Sequence, residues 1–141
     1  MIEEELTGQI IKAFYKVYNT LGHGFLESVY KNSMLLEITE QGLEVEAEKA
    51  IAVYYKGRIV GTFFADLVVN SKVIVELKAM EAIVPAHEAQ LINYLRATEI
   101  EVGLLFNFGK MPELKRKLFS NERKQLIIEL APGERSDSLS A

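Results

Sequence analysis

Apolar residues recur at three- and four-residue steps through Leu6, Ile10, Ile11, Phe14, Val17, Tyr18 and Leu21. That period predicts an amphipathic helix over Glu3–Leu21. Gly22-His23-Gly24 breaks it. A second helix is expected over Phe25–Glu40, with Leu26, Val29, Leu36 and other apolar residues turned inward and Gly42 at its C-terminal cap. The pattern then changes. Val45 opens an extended region, Ala50–Tyr55 is rich in β-formers, and Lys56-Gly57 is a turn signal. Ile59–Val69 reads as a long strand, Asn70-Ser71 as a second turn, and Val73–Leu77 as a further strand, giving an antiparallel meander. Pro85 suits the first turn of a helix running to Thr98. Val102–Phe106 reads as a strand buried on both faces. Pro112–Phe119 is expected to be helical and Leu126–Leu130 a last strand. The order is α-α-β-β-β-α-β with a small appendage, one domain over residues 1–130 and a polar, disordered tail over 131–141.

Composition narrows the function classes. The chain has 141 residues, 49% hydrophobic and 26% charged, which fits one folded core and excludes wholesale disorder. Its apolar runs fall short of the roughly 20 residues of a membrane span. The first residues, with three consecutive glutamates, do not read as a signal peptide. There is no cysteine, hence no disulfide and no thiolate metal site. These features point to a cytoplasmic protein. The net charge of −4 argues mildly against broad nonspecific nucleic-acid binding. Distribution softens that point, because Lys110–Lys124 holds six basic residues against two acidic ones.

The chemistry lies on the second hairpin. Glu76 and Lys78 are two apart on one strand and so share a face. Whether Asp66 joins them depends on register. A two-residue loop at Asn70-Ser71 would set Asp66 opposite Val75, whereas a three-residue loop over Asn70–Lys72 sets it opposite Glu76. The second register also pairs Val69 with Val73, Leu67 with Val75, Ala65 with Leu77 and Phe63 with Ala79, which makes one face wholly apolar. The other face then carries Phe64 with Lys78, Asp66 with Glu76, and Val68 with Ile74. Opposed like charges destabilise a sheet, and a divalent cation would offset the repulsion. Oxygen ligands suit Mg²⁺ or Mn²⁺.

Asp66 and Glu76-Leu77-Lys78 on consecutive strands, followed by a helix and a strand, resemble the α-β-β-β-α-β core of PD-(D/E)XK nucleases. Gln90-x-x-x-Tyr94 resembles the Q-x-x-x-Y motif of the exonuclease branch of that superfamily, and on a helix the two residues face the same way. Gly24-x-x-Glu27-x-x-Tyr30 resembles the motif of the GxxExxY protein family, itself placed among PD-(D/E)XK-like proteins. The resemblance spans about Ile10 to Phe119. It departs from the pattern at Ala65, where the superfamily carries a proline.

The resemblance implies a restriction-endonuclease-like α+β or α/β core, with a mixed central sheet flanked by helices. It implies metal binding by Asp66 and Glu76, with the Leu77 carbonyl and Glu27 as supplementary ligands. Lys78 would orient or activate the attacking water and stabilise charge at the phosphate. Gln90 and Tyr94 would brace the site or contact the DNA backbone. Phosphodiester hydrolysis needs an activated water and charge relief on the phosphoryl oxygens, which a divalent ion supplies, with a lysine beside it as donor.

Other residues read more plainly. Tyr30 and the aromatics of Phe106-Asn107-Phe108-Gly109 read as core. His87 and His23 read as packing or loop residues. The expected activity is metal-dependent hydrolysis of nucleic acid, DNA first, by a protein that does not enter membranes. Two rivals stand beside it. One is a nonhydrolytic nucleic-acid-binding module on the same fold. The other is a protein-interaction subunit with an apolar patch around Tyr54, Tyr55 or Phe64. Assembly into a homo-oligomer stays open.

Overall fold

Apolar stripes decide where each helix sits on a central sheet. In the computed structural model, which describes residues 2–124, helices α1 (Glu4–Leu21) and α2 (Glu27–Glu40) cover one face and α3 (Pro85–Arg96) covers the other. Strands β1 (Val45–Tyr55), β2 (Arg58–Val69), β3 (Val73–Lys78), β4 (Val102–Phe108) and β5 (Pro112–Leu118) lie in that spatial order. A single 3₁₀ turn, Asn121–Lys124, follows. The meander β1-β2-β3 is antiparallel, β3 and β4 are parallel across the α3 crossover, and β4-β5 is antiparallel. The sheet is therefore mixed. This is an α+β, restriction-endonuclease-like fold.

The first core layer joins Ile10, Phe14 and Val17 of α1 to Tyr30, Met34 and Ile38 of α2 over Leu67, Val75 and Phe106. Phe14 stacks on Phe106 at 4.3 Å, and Tyr30 on Phe108 at 4.1 Å. The second layer packs Leu91, Tyr94 and Leu95 of α3 on Ile74, Leu105 and Ala65. Gly103 permits that approach: a Cβ there would lie 2.6 Å from Leu91 Cδ1.

Three expectations are corrected. Pro112–Leu118 is a strand, not a helix. Leu114 and Leu118 stand at a spacing that suits either form, but the tight turn after Phe108 returns the chain along β4, whose edge needs a partner. Proline is tolerated there because it begins an edge strand. Leu26, just before α2, and Leu36 on it point outward, 77% and 65% exposed, and the buried residues of the helix are Tyr30, Met34 and Ile38. The third concerns the β2–β3 ladder. The three-residue loop and its register hold, with Val69↔Val73, Val68↔Ile74 and Leu67↔Val75, but pairing stops there. Ala65 and Phe63 do not pair with Leu77 and Ala79. Leu67 and Val69 pack toward α1 and α2, whereas Ala65 joins Val68 in the α3 layer, so the alternation of β2 breaks at Asp66. Opposite this point Glu48 takes a left-handed φ of 53°. The strand expected at Leu126–Leu130 and the tail at 131–141 lie outside the described residues.

Candidate metal and phosphodiester site

The ladder between β2 and β3 ends where the carboxylates begin. The main-chain N–H of Asp66 donates to Glu76 Oε2 at 2.8 Å, and the N–H of Leu77 donates to Asp66 Oδ2 at 2.8 Å. Each acid thus satisfies an amide of the opposite strand that regular pairing would have used. The other oxygen of each carboxylate has no hydrogen-bond partner among the described residues.

Glu76 sits between Val75 and Leu77, both in the α1/α2 core, so its side chain lies on the α3 side with Ile74 and Lys78. It is only 5% exposed. Burial and then the Asp66 charge push its carboxyl up to about 8. Asp66 is raised as well, by burial, against the bond from Leu77 and the charges of Lys31 and Lys78. Two acids are held together in a place that penalises two negative charges.

The surrounding side chains come from three elements. Lys78 ends β3, and its charge is felt at Asp66, Glu76 and Glu27. Tyr94 on α3 has its hydroxyl pushed up to about 12 by burial, followed by the charges of Glu76 and Asp66. Gln90, one turn earlier, lines a groove with Tyr94 and makes no hydrogen bond to the acids among the described residues. Glu27 opens α2 at the solvent edge. Burial raises its carboxyl, opposed by Lys78 and reinforced by Asp66. It is within electrostatic reach of the pair, yet the described residues form no group of three His, Cys, Asp or Glu that could hold a metal ion.

The Glu27 mount has its own logic. Gly22 and Gly24 take φ of 68° and 109°, conformations that favour glycine. Tyr30, fully buried, donates its hydroxyl to the Gly22 carbonyl at 2.6 Å and accepts from the Phe25 N–H at 3.2 Å. The tyrosine fastens the turn from which Glu27 projects. His87 is engaged locally: its Nδ1 accepts from the Val84 N–H at 3.2 Å at the start of α3. His23 is exposed in the glycine turn.

Two residues near the site escaped the sequence reading. Lys31 lies one turn beyond Glu27, is paired with Glu48, and places its charge near Asp66 and Glu27. The four-residue spacing from Glu27 was the available signal. Asn107 is fully buried opposite Lys78 in the β3–β4 register. Its Oδ1 accepts from Met80 N–H at 3.0 Å, and its Nδ2 donates to the Met80 carbonyl at 2.9 Å and to Glu113 Oε1 at 3.0 Å. It pins the chain just after Lys78. An Asn inside an otherwise apolar strand was its signal.

The donor set fits a hard divalent cation. Two carboxylates converge, each with one oxygen fixed by backbone and one free to ligate, at a spot where burial raises both pKa values and so disfavours two uncompensated negative charges.

A mixed sheet with helices on both faces and an Asp…Glu-x-Lys constellation on β2 and β3 makes this an α+β, restriction-endonuclease-like domain. The family model of the PD-(D/E)XK nuclease superfamily matches residues 4–118, and the chain belongs to that superfamily. Nucleases of this superfamily generally use divalent metal ions, and membership implies nucleic-acid binding. No curated protein and no solved structure gives a match. No helix among the described residues is long and apolar enough to cross a membrane.

Proposed function

We propose that this protein hydrolyses phosphodiester bonds of nucleic acid, DNA in the first instance, with Mg²⁺ or Mn²⁺. The observation that carries the reading is the reciprocal bonding of Asp66 and Glu76 across the parted strands, with Lys78 on the face of Glu76. Asp66 and Glu76 would hold the cation, with the Leu77 carbonyl as a further ligand and Glu27 at the outer edge. When bound, the cation would supply charge relief at the phosphoryl oxygen and a lowered pKa for the attacking water.

The chain's own groups do the rest. Lys78 donates from its ammonium to the attacking water or to a nonbridging oxygen, where negative charge grows. Tyr94, with its hydroxyl held up near 12, stays protonated at neutral pH and serves as a donor beside the acids. Gln90 orients the backbone of the substrate. Asn107 holds the end of β3, and so the base of Lys78, in place.

The test is a cleavage screen over single- and double-stranded DNA and RNA with Mg²⁺ and Mn²⁺ titrated, for the wild type and Asp66→Asn. Metal-stimulated cleavage lost in the variant supports the reading; cleavage unchanged in the variant refutes it. The net charge of −4 favours a second reading, a nonhydrolytic module on the same fold. That reading requires nucleic-acid or protein binding that persists in chelator without turnover.

A further inference from the structure

β1 and β2 stay paired out to Tyr55↔Arg58, but β3 leaves β2 at Leu67. The far half of the hairpin therefore projects as a two-stranded ribbon alongside α3. A groove of about 400 Å³ separates them. Val53 and Phe63 wall it on the ribbon side, and Ala86, Ala89, Gln90 and Asn93 wall it on the helix side. Tyr94 lies between, its ring centroid 5.6 Å from that of Phe63.

We infer that this groove takes one unpaired nucleobase of the substrate strand, next to the phosphate held at Asp66 and Glu76, with Phe63 as its stacking surface. The inference rests on the nuclease reading above. Continuity carries it: Phe63 stands three residues from Asp66 on the same strand, and Tyr94, which lines the groove, shares a core layer with Ala65, the neighbour of Asp66. A strand with its phosphate at the acids would put a neighbouring base at this opening. Phe63 is 44% exposed although it stands in a walled groove, so ring surface is left for stacking. Alanines at 86 and 89 leave the opposite wall flat. Asn93 carries an amide without a hydrogen-bond partner among the described residues and can donate to and accept from a base edge, while Gln90 beside it is left for the backbone of the strand. Arg96 also lines the groove and offers a cation for the next phosphate. Acid site, flat aromatic slot and arginine match the phosphate–base–phosphate repeat of a single strand better than the repeat of a peptide.

The probe is a fluorescein-labelled single-stranded DNA of about ten nucleotides, within the usual range of single-strand site sizes. Binding is read by anisotropy with both acids intact and Ca²⁺ in place of Mg²⁺, an oxygen-ligated cation that keeps the phosphate anchor while binding is read without turnover. A series carries one abasic position each. The expected result is a loss of about tenfold in affinity at one position, the scale of one stacked base. Phe63→Leu, which keeps apolar contact with Tyr94 but removes the ring, should lose the same factor on the intact strand and ignore the abasic position. Phe63→Tyr should restore both. Ala89→Phe, which fills the groove from the exposed helix surface, should act like Phe63→Leu. This pattern with no cleavage by the wild type keeps the groove and discards the nuclease reading. Cleavage with no effect of Phe63→Leu, Ala89→Phe or the abasic series keeps the nuclease and overturns the groove. No binding of any oligonucleotide overturns the groove, and so does a sedimenting mass that changes with Ala89→Phe without base-dependent binding, which would assign the groove to another protein chain.

Discussion

Glu76 accepts the main-chain N–H of Asp66 at 2.8 Å, while Asp66 accepts the N–H of Leu77, the residue after Glu76, at the same distance. The two acids are thus both candidate ligands and the last fastening between β2 and β3. Function and stability are separable by choice of substitution. Asp66→Asn keeps an oxygen for the Leu77 N–H and should fold with little change, yet lose metal-dependent cleavage by on the order of 10²-fold or more. Asp66→Ala should lose cleavage and, because a buried amide is left unpaired, also about 1–3 kcal/mol of stability in urea titration. Equal activity of wild type and Asp66→Asn would remove the acid pair from the chemistry.

Metal removal gives a second expectation. Glu76 is pushed up to about 8, so without a cation it favours its protonated form at neutral pH. Glu76→Gln mimics that form and should match the metal-free wild type in melting temperature near pH 7. Saturating Mg²⁺ at about a hundred times Kd should stabilise the wild type by about 2.7 kcal/mol and leave Glu76→Gln unmoved. Differential scanning fluorimetry with and without EDTA checks this. A metal-induced rise of equal size in Glu76→Gln would place the cation elsewhere.

What could be read from the chain divides along physical lines. The Asp66–Glu76 register was legible because a one-residue slip would turn Val73, Val75 and Leu77 away from their core. The end of the ladder at Leu67↔Val75 was not, because side-chain oxygens replace backbone partners there and alternation carries no sign of that exchange. Leu26 and Leu36 were misread as inward because apolar residues occur all around α2. Contact with Phe108 and the rest of the core, not period, selects Tyr30, Met34 and Ile38. The β5 strand was misread for a related reason: its pairing with β4 is decided by that neighbour, and the Leu114–Leu118 spacing fits a helix equally well. The long periodic helix α1 was recovered to within a residue, since eighteen residues of one amphipathic stripe leave little choice.

Asn107 tests how the lysine is held. Its side chain makes three hydrogen bonds, two of them to the Met80 backbone, two residues past Lys78. Asn107→Leu should cost about 1–3 kcal/mol through unpaired buried groups. On the nuclease reading it should also lower kcat more than it raises KM, because Lys78 acts at the developing charge. A stability loss with unchanged kcat would make Asn107 a purely structural brace.

Lys124 gives a pH signature remote from the acids. It is 2% exposed, and its amine donates to the carbonyls of Thr98 and Ile100. Burial lowers its pKa from 10.5 to about 8, against the charges of Glu101 and Glu99. Between those two pH values the unfolded chain binds more protons here than the folded one, so this contribution to stability rises with pH. Below about pH 8 both states are charged and the full burial cost is present; above 10.5 both are neutral and it is gone. Wild type should therefore gain on Lys124→Met as pH climbs through that window, seen as a shift of the melting-temperature difference in favour of the wild type. A pH-independent difference would show that the amine is solvated.

The Tyr30 hydroxyl offers the sharpest separation of scaffold from site. Tyr30→Phe keeps the ring on Phe108 and loses the bonds to the Gly22 carbonyl and the Phe25 N–H. Those groups flank a turn with positive φ at Gly22 and Gly24, and Glu27 projects from its far end. The expected stability loss is about 1 kcal/mol by urea titration, since both orphaned groups lie near water. The effect on cleavage depends on whether Glu27 contributes. If it does, Tyr30→Phe and Glu27→Gln each slow turnover, and the double variant is no slower than Glu27→Gln alone, because loosening the mount of an absent acid changes nothing. Strictly additive effects would show that the tyrosine acts on the fold and the glutamate on the reaction without communication through the turn.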